Sequence, residues 1–187
     1  MLNPSGTKNL IIFTIVSSLW GVVFGLIGPF YVVHVERLSG GMEKLGIAFS
    51  IMIICQSAAS YLAGRFSDRL GRRPFLLLTA YVDAVVLFLY TVIHETMYLY
   101  MLQGLLGITN GVSETISVSL LADLTSKGGR GKEIGRFRAL VSLTSAMGLA
   151  LSGYLAKSYG INFLFYMASS VVVLSTALLF LIKEKEI

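Results

Sequence analysis

Apolar runs separated by short polar turns recur six times along this chain, each long enough to cross a hydrocarbon layer as one helix. A core of ~30 Å takes about 20 residues at helical rise. The runs cover residues 10–33, 45–64, 74–93, 97–122, 134–156 and 163–182. They predict an all-α membrane protein with six transmembrane helices. Short connections and two tails are all that remain for water, so residues 1–187 are expected to form a single transmembrane domain.

Within the runs, small and polar residues fall into stripes at helical spacing. Helix 1 carries Thr14, Ser17, Ser18, Gly21, Gly25 and Gly28, and Pro29 is expected to break or bend its outer end. Helix 2 carries Gln56, Ser57, Ser60 and Gly64, and helix 5 carries Ser142, Ser145, Gly148 and Ser152. Small residues let membrane helices approach closely, so helix packing explains these stripes. Helix 4 is different. Its stripe of Gln103, Gly107, Asn110, Glu114 and Ser117 holds a carboxylate and two amides, more than packing requires, and is expected to line a cavity.

Two carboxylates lie within the runs, Asp83 in helix 3 and Glu114 in the inner half of helix 4. Taking such a group to the bilayer centre costs at least ~2.5 kcal/mol. It must be protonated, paired or exposed to a wet cavity. Helices 3 and 4 carry no Lys, Arg or His at similar depth. Glu114 and Asp83 are therefore expected to bind protons or a cationic substrate, with Asn110 and Gln103 beside them. For Asp83 a structural hydrogen bond to a hydroxyl or amide of a neighbouring helix competes with that reading.

Composition agrees with the membrane reading: 55% of residues are apolar and 13% charged, against roughly 25% charged in a soluble domain. The first run is too long for a signal-peptide core and no small-residue cleavage site follows it, so it reads as a retained helix. Cys55, the single cysteine, lies inside helix 2 and reads as a buried thiol packing like a small apolar residue. The net charge of +5 gains meaning once divided by side. With the N-terminus inside, twelve Lys and Arg residues face the cytoplasm and three (Arg37, Lys44 and Lys157) face outward. That bias predicts one orientation, with both termini cytoplasmic. An integral protein of the inner membrane of a prokaryotic cell is expected. Topology accounts for these basic residues, so no nucleic-acid role is inferred. His34 and His94 fall at predicted outer loops and read as exposed. No metal-spaced His/Cys cluster is present, and neither an enzyme, a metal nor a cofactor is expected.

The segment Gly64-Arg-Phe-Ser-Asp68-Arg69-Leu-Gly71-Arg72-Arg73-Pro74 reads as an Arg-rich turn between two antiparallel helices. Its spacing resembles the motif A loop between helices 2 and 3 of the major facilitator superfamily. The following cytoplasmic connection, from Ala122 through Asp123 and Arg130 to Arg136, is similar to that family as well. The resemblance covers nearly the whole chain but only one six-helix half of a transporter. It implies two inverted three-helix repeats, helices 1 and 4 lining a cavity, helices 2 and 5 between the halves, and helices 3 and 6 outside. On that plan Thr14, Ser17, Ser18, Gly21 and Gly25 line the cavity. Trp20 joins them, although its side chain suits lipid equally well. Tyr61-Leu-Ala63 is echoed by Tyr154-Leu-Ala156, as repeated units would have it. Two departures weaken a drug/proton antiport assignment. Tyr100 stands where many proton-linked exporters carry an arginine, and Gly148-Leu-Ala-Leu-Ser152-Gly153 lacks the proline of the antiporter signature.

Half a transporter leaves polar faces of helices 1 and 4 against lipid, where unpaired polar groups are costly. The simplest remedy is a parallel homodimer in the bilayer, working by alternating access on a small-molecule substrate, with protons as the coupling ion. The resemblance also implies a cytoplasmic gate of Gly64, Asp68, Arg69, Gly71, Arg72, Arg73, Asp123, Arg130 and Arg136. There Asp68 would latch the start of the partner's helix 5, an anion at a helix N-terminus. Two other readings stand beside this one: a half-subunit or fragment needing a different partner half, and a non-transporting membrane scaffold or sensor.

Overall fold

The computed structural model describes residues 4–125 and 128–182, the side chains of residues 4–6 and 68–70 excepted. Six helices follow one another: α1 (Pro4–Ser39), α2 (Met42–Leu70), α3 (Arg73–Leu89), α4 (Thr96–Leu124), α5 (Arg130–Tyr159) and α6 (Ile161–Leu179). Five of the six are long and apolar enough to cross a membrane by themselves. The exception is α3, whose 17 residues span about 25 Å. Tighter turn bonds, from Thr91 N to Phe88 O and from Val92 N to Leu89 O, carry its chain onward for most of the apolar run.

Most helices run past the apolar segments that announced them. Pro29 does not break α1, which continues to Ser39. Membrane helices tolerate an internal proline because neighbouring groups satisfy the freed carbonyl. The Arg-rich segment is mostly helix rather than turn, since α2 extends through Leu70. The reversal is confined to Gly71 and Arg72. Gly71 ends α2 at φ +83°, a conformation that favours a residue without Cβ. Gly160 ends α5 with nearly the same angles, φ +85° and ψ 163° against +83° and 165°.

The similarity of those two turns extends to the packing. α1 lies along α5, and α4 lies along α2. In the first crossing a Cβ on Gly21 would strike the Val141 carbonyl, and one on Gly25 would strike the Ser145 carbonyl and the Leu149 amide. In the second, a Cβ on Gly107 would strike the Met52 carbonyl, and one on Gly111 the Gln56 carbonyl and the Ser60 amide. Glycines four apart on one helix meet the same backbone atoms, four apart, on the other. Successive helices joined by short turns alternate in direction, so α1 and α4 run oppositely. The two crossings are therefore inverted copies, which makes the fold a pair of inverted three-helix units.

Two apolar clusters hold the bundle together. One gathers Val35, Tyr90, Leu99 and Phe165 near the C-terminal end of α1, and the other gathers Phe13, Ile116 and Leu179 near its N-terminal end. Trp20 packs against both. α2 and α5 are the least buried of the five apolar spans and present uncovered side chains such as Ile54, Tyr61, Leu143 and Tyr154. His34 departs from its expectation. It lies inside α1, buried, with Nε2 2.8 Å from the Tyr90 carbonyl and its ring 4.7 Å from that of Phe165. An imidazole can be buried there because a backbone carbonyl left unpaired at the end of α3 is its partner. Cys55 is half-buried, its Sγ facing Gly104.

Candidate functional site

Between α1, α2, α3, α4 and α6 lies a cavity of about 500 Å³. Its polar wall is contributed chiefly by α4 through Asn110, Ser113, Glu114 and Ser117. The helical period explains the arrangement. Gly107 and Gly111 turn one face of α4 onto α2, and the residues around 110, 114 and 117 then point into the space beside it.

Asp83 enters the same cavity from α3. Thr109 of α4 donates its hydroxyl hydrogen to Asp83 Oδ1. The hydrogen bond expected for this acid is thus present, and it coexists with a place on the cavity wall. Glu114 is held differently. Its Oε2 accepts a hydrogen bond from Gln56 Nε2 of α2 at 3.1 Å, and its side chain is exposed. A neutral amide aims a carboxylate without cancelling its charge. One cavity therefore holds an acid tied to a hydroxyl and a second acid held by an amide.

α1 supplies the opposite wall with bulk rather than with small polar residues. Trp20, Phe24, Ile27 and Tyr31, at spacings of four, three and four, face the cavity. Trp20 Nε1 donates to Ser175 Oγ of α6 at 3.0 Å, which fixes the indole. The expectation that Gly21 and Gly25 line the cavity is corrected, because both are consumed by the contact with α5. Thr14, Ser17 and Ser18 also lie off the cavity wall, and Thr14 returns its hydroxyl to the Leu10 carbonyl of its own helix. A signal for the true lining was present in the 20/24/27/31 spacing of large side chains.

Gln103 is likewise corrected. It is fully buried and lies behind the cavity wall. Tyr31 donates its hydroxyl to Gln103 Oε1 at 2.9 Å and sits 3.2 Å from the Tyr90 hydroxyl. These side chains form a polar knot at the α1 C-terminal end of the cavity, within the apolar cluster that surrounds Tyr90.

The residues of the expected cytoplasmic gate separate into three groups. Arg72 pairs with Asp123 and also donates to the Ser119 carbonyl, tying the start of α3 to the end of α4. Arg130 Nη2 donates to the Ala122 carbonyl at 3.0 Å, so basic groups gather where the α4 dipole is negative. Arg73 turns away from this cluster. Its Nη2 meets the Phe180 carbonyl at 2.9 Å and its guanidinium lies over the Phe180 ring at 5.2 Å. Arg73 opens α3 on the side of α6, which packs beside α3 as α4 does. Gly64 and Arg136 are exposed on α2 and α5. The side chains of Asp68 and Arg69 lie outside the described residues.

A second groove opens between α4 and α5, with a volume of about 340 Å³. Glu114 and Ser117 belong to both spaces. Arg138 of α5 lines the groove, a basic neighbour for Glu114 that comes from neither helix 3 nor helix 4.

Comparison with known proteins adds an independent finding. The family model described as Major Facilitator Superfamily matches residues 10–187. The chain is similar to "Uncharacterized MFS-type transporter YitZ" of Bacillus subtilis (strain 168), 31% identical over 150 residues, which cover 80% of this chain and 92% of that protein. It is also similar to "Multidrug resistance protein MdtG" of Escherichia coli (strain 55989 / EAEC), 31% identical over 184 residues. That alignment covers 95% of this chain and 45% of MdtG, so the chain spans about half the length of that relative.

Proposed function

The chain belongs to the major facilitator superfamily, and on that premise we propose that it is a proton-coupled secondary transporter of a small organic solute, working as a parallel homodimer. Membership points to an integral membrane transporter rather than an enzyme. The observation that carries the finer reading is the meeting of Asp83 and Glu114 in one cavity. Ionisable side chains at membrane depth are costly, and those that persist mark ion and substrate pathways. Asp83 and Glu114 take up a proton or the cationic part of a solute, Asn110 supplies donor and acceptor groups, and Trp20 and Tyr31 offer aromatic faces to an organic body. The name of MdtG, a multidrug resistance protein, supports beginning the search for the solute among drug-like organic compounds.

A homodimer fits the uncovered apolar faces of α2 and α5. The bias of basic residues favours parallel copies with cytoplasmic termini in an inner membrane. Two cavities then face each other across the dimer axis, and rocking of one copy against the other exposes them alternately. Asp68 latching the partner's α5 belongs to the same proposal, with Arg72 and Asp123 bracing the neighbouring end of α4. Particle mass in lipid nanodiscs tests the assembly. A protein mass near twice 20.3 kDa is expected, and a stable monomer would contradict the homodimer.

One observation favours a second reading. MdtG is about twice the length that the chain covers, so a separate half of similar architecture is a candidate partner. A monomer that acquires transport only when co-expressed with another six-helix chain would select that reading.

A further inference from the structure

Glu114 and Arg138 face one groove from opposite sides, and in this structure they are not joined. Among the described residues Glu114 accepts its hydrogen bond from the neutral Gln56 amide, and no acid lies within ion-pair distance of Arg138. The groove exists because α5 leans on α1 while α4 leans on α2, leaving α4 and α5 with scarcely any direct contact.

Depth makes the two charges a natural pair. Glu114 lies ten residues before the end of α4 at Leu124, about 15 Å along the helix. Arg138 lies eight residues after the start of α5 at Arg130, about 12 Å along. Those two ends belong to the same side of the bilayer, since a short connection joins them. Between them the groove is walled by Val118, Leu121, Phe137 and Val141, with hydroxyls at Ser117 and Ser142. Apolar walls reduce screening, and a lone ion at such depth is costly unless it is paired.

We propose that Arg138 is the internal counter-charge of Glu114. The two close across the groove when ionised Glu114 turns from Gln56 toward α5 with the cavity empty. The pair opens when a proton or a cationic group takes the carboxylate. Arg138 is then a specificity-determining residue: whatever binds Glu114 must displace a guanidinium, so weakly interacting cations are rejected. Opening also releases α5 from α4 on the face that meets a second copy. The transport consequence rests on the reading of Glu114 given above, whereas the ion pair itself does not.

Thermal unfolding of the full chain in nanodiscs at neutral pH and low salt tests the pair without any transport. R138M removes the charge at similar volume, R138K keeps it, and E114Q neutralises the acid. The expected result is a clear loss of Tm in R138M, little loss in R138K, and recovery in E114Q/R138M to above the single R138M variant. Additive losses in the double variant, or equal losses in R138M and R138K, would overturn the proposal. Should R138M fail to fold, the charge-swapped chain E114R/R138E serves instead. It is expected to melt above E114R alone, and a melt no better than E114R would also overturn the pair. Absence of proton-driven flux in the unmodified chain, with an intact Tm cycle, would defeat the transport reading and leave the ion pair standing.

Discussion

Gln56 Nε2 donates to Glu114 Oε2 across 3.1 Å, a hydrogen bond from α2 to α4 that aims the carboxylate at the cavity while leaving its charge intact. The same two helices are in backbone contact one turn earlier on α4, where Gly111 meets the Gln56 carbonyl. Residue 56 thus serves the crossing with its main chain and the site with its side chain. Hydrogen bonds to charged groups contribute about 1.5–3 kcal/mol, and the exposure of Glu114 puts this one at the low end. Gln56→Leu is expected to slow solute flux in proteoliposomes by about tenfold, with Gln56→Glu worse through like-charge repulsion. Unchanged flux in both would remove Gln56 from the site.

Asp83 and Thr109 form the second side-chain tie, between α3 and α4. Thr109→Val keeps the shape and removes the donor, so the acid loses its hydroxyl partner. The expected cost is about 1–3 kcal/mol in an unfolding assay, and it shrinks in an Asp83→Asn background, where no charge is left unsupported. Equal costs in the two backgrounds would show that Thr109 acts through packing alone.

The glycines divide by what surrounds them. Gly25 and Gly111 leave no room for a Cβ, because backbone atoms of the facing helix occupy its place. Backbone cannot yield as a side chain does, so Gly25→Ala and Gly111→Ala are each expected to cost about 1–3 kcal/mol. Gly28→Ala and Gly153→Ala meet nothing within 4 Å and are expected to be neutral or slightly stabilising. Melting of the four variants in parallel checks the prediction, and an indifferent Gly111→Ala would contradict the close crossing.

Arg72 and Asp123 make an ion pair whose acid is 63% exposed. Exposed pairs contribute about 0–1 kcal/mol, and salt weakens them. Asp123→Asn is therefore expected to change Tm little, and less still at high ionic strength. A large, salt-insensitive loss would mean that the pair is covered, as a partner copy docked on that end would make it.

Much of this was legible in the residue pattern. Six apolar runs predicted six helices, and the small-residue stripes of helices 2 and 5 mark real packing faces. Asn110 and Glu114 reach the cavity because helical spacing puts them on one side of α4, whereas Gln103 of the same stripe is buried behind the wall. Helix 1 was misread, since a stripe of glycine and serine suits a packed face and a lining face equally. Gly21 and Gly25 went to the first, while the bulky Trp20, Phe24 and Tyr31 went to the second. Partners far apart in sequence were not legible at all. Tyr31 and Gln103 are 72 residues apart, and His34 and Tyr90 are 56 apart. No periodicity within a single helix encodes such a meeting. Arg138 lies on α5, and its groove with Glu114 appears only once α5 is set against α1.

On the reading proposed above, the two cavity acids couple solute movement to protons. Proteoliposomes carrying the full chain, with a pH gradient imposed, allow that coupling to be read as gradient-driven flux over a panel of cationic, neutral and anionic organic compounds. For whichever compound moves, Glu114→Gln and Asp83→Asn are expected to abolish the response to the gradient, while Gly153→Ala retains it. Gradient-driven flux persisting undiminished in the Glu114→Gln/Asp83→Asn double variant would contradict that reading.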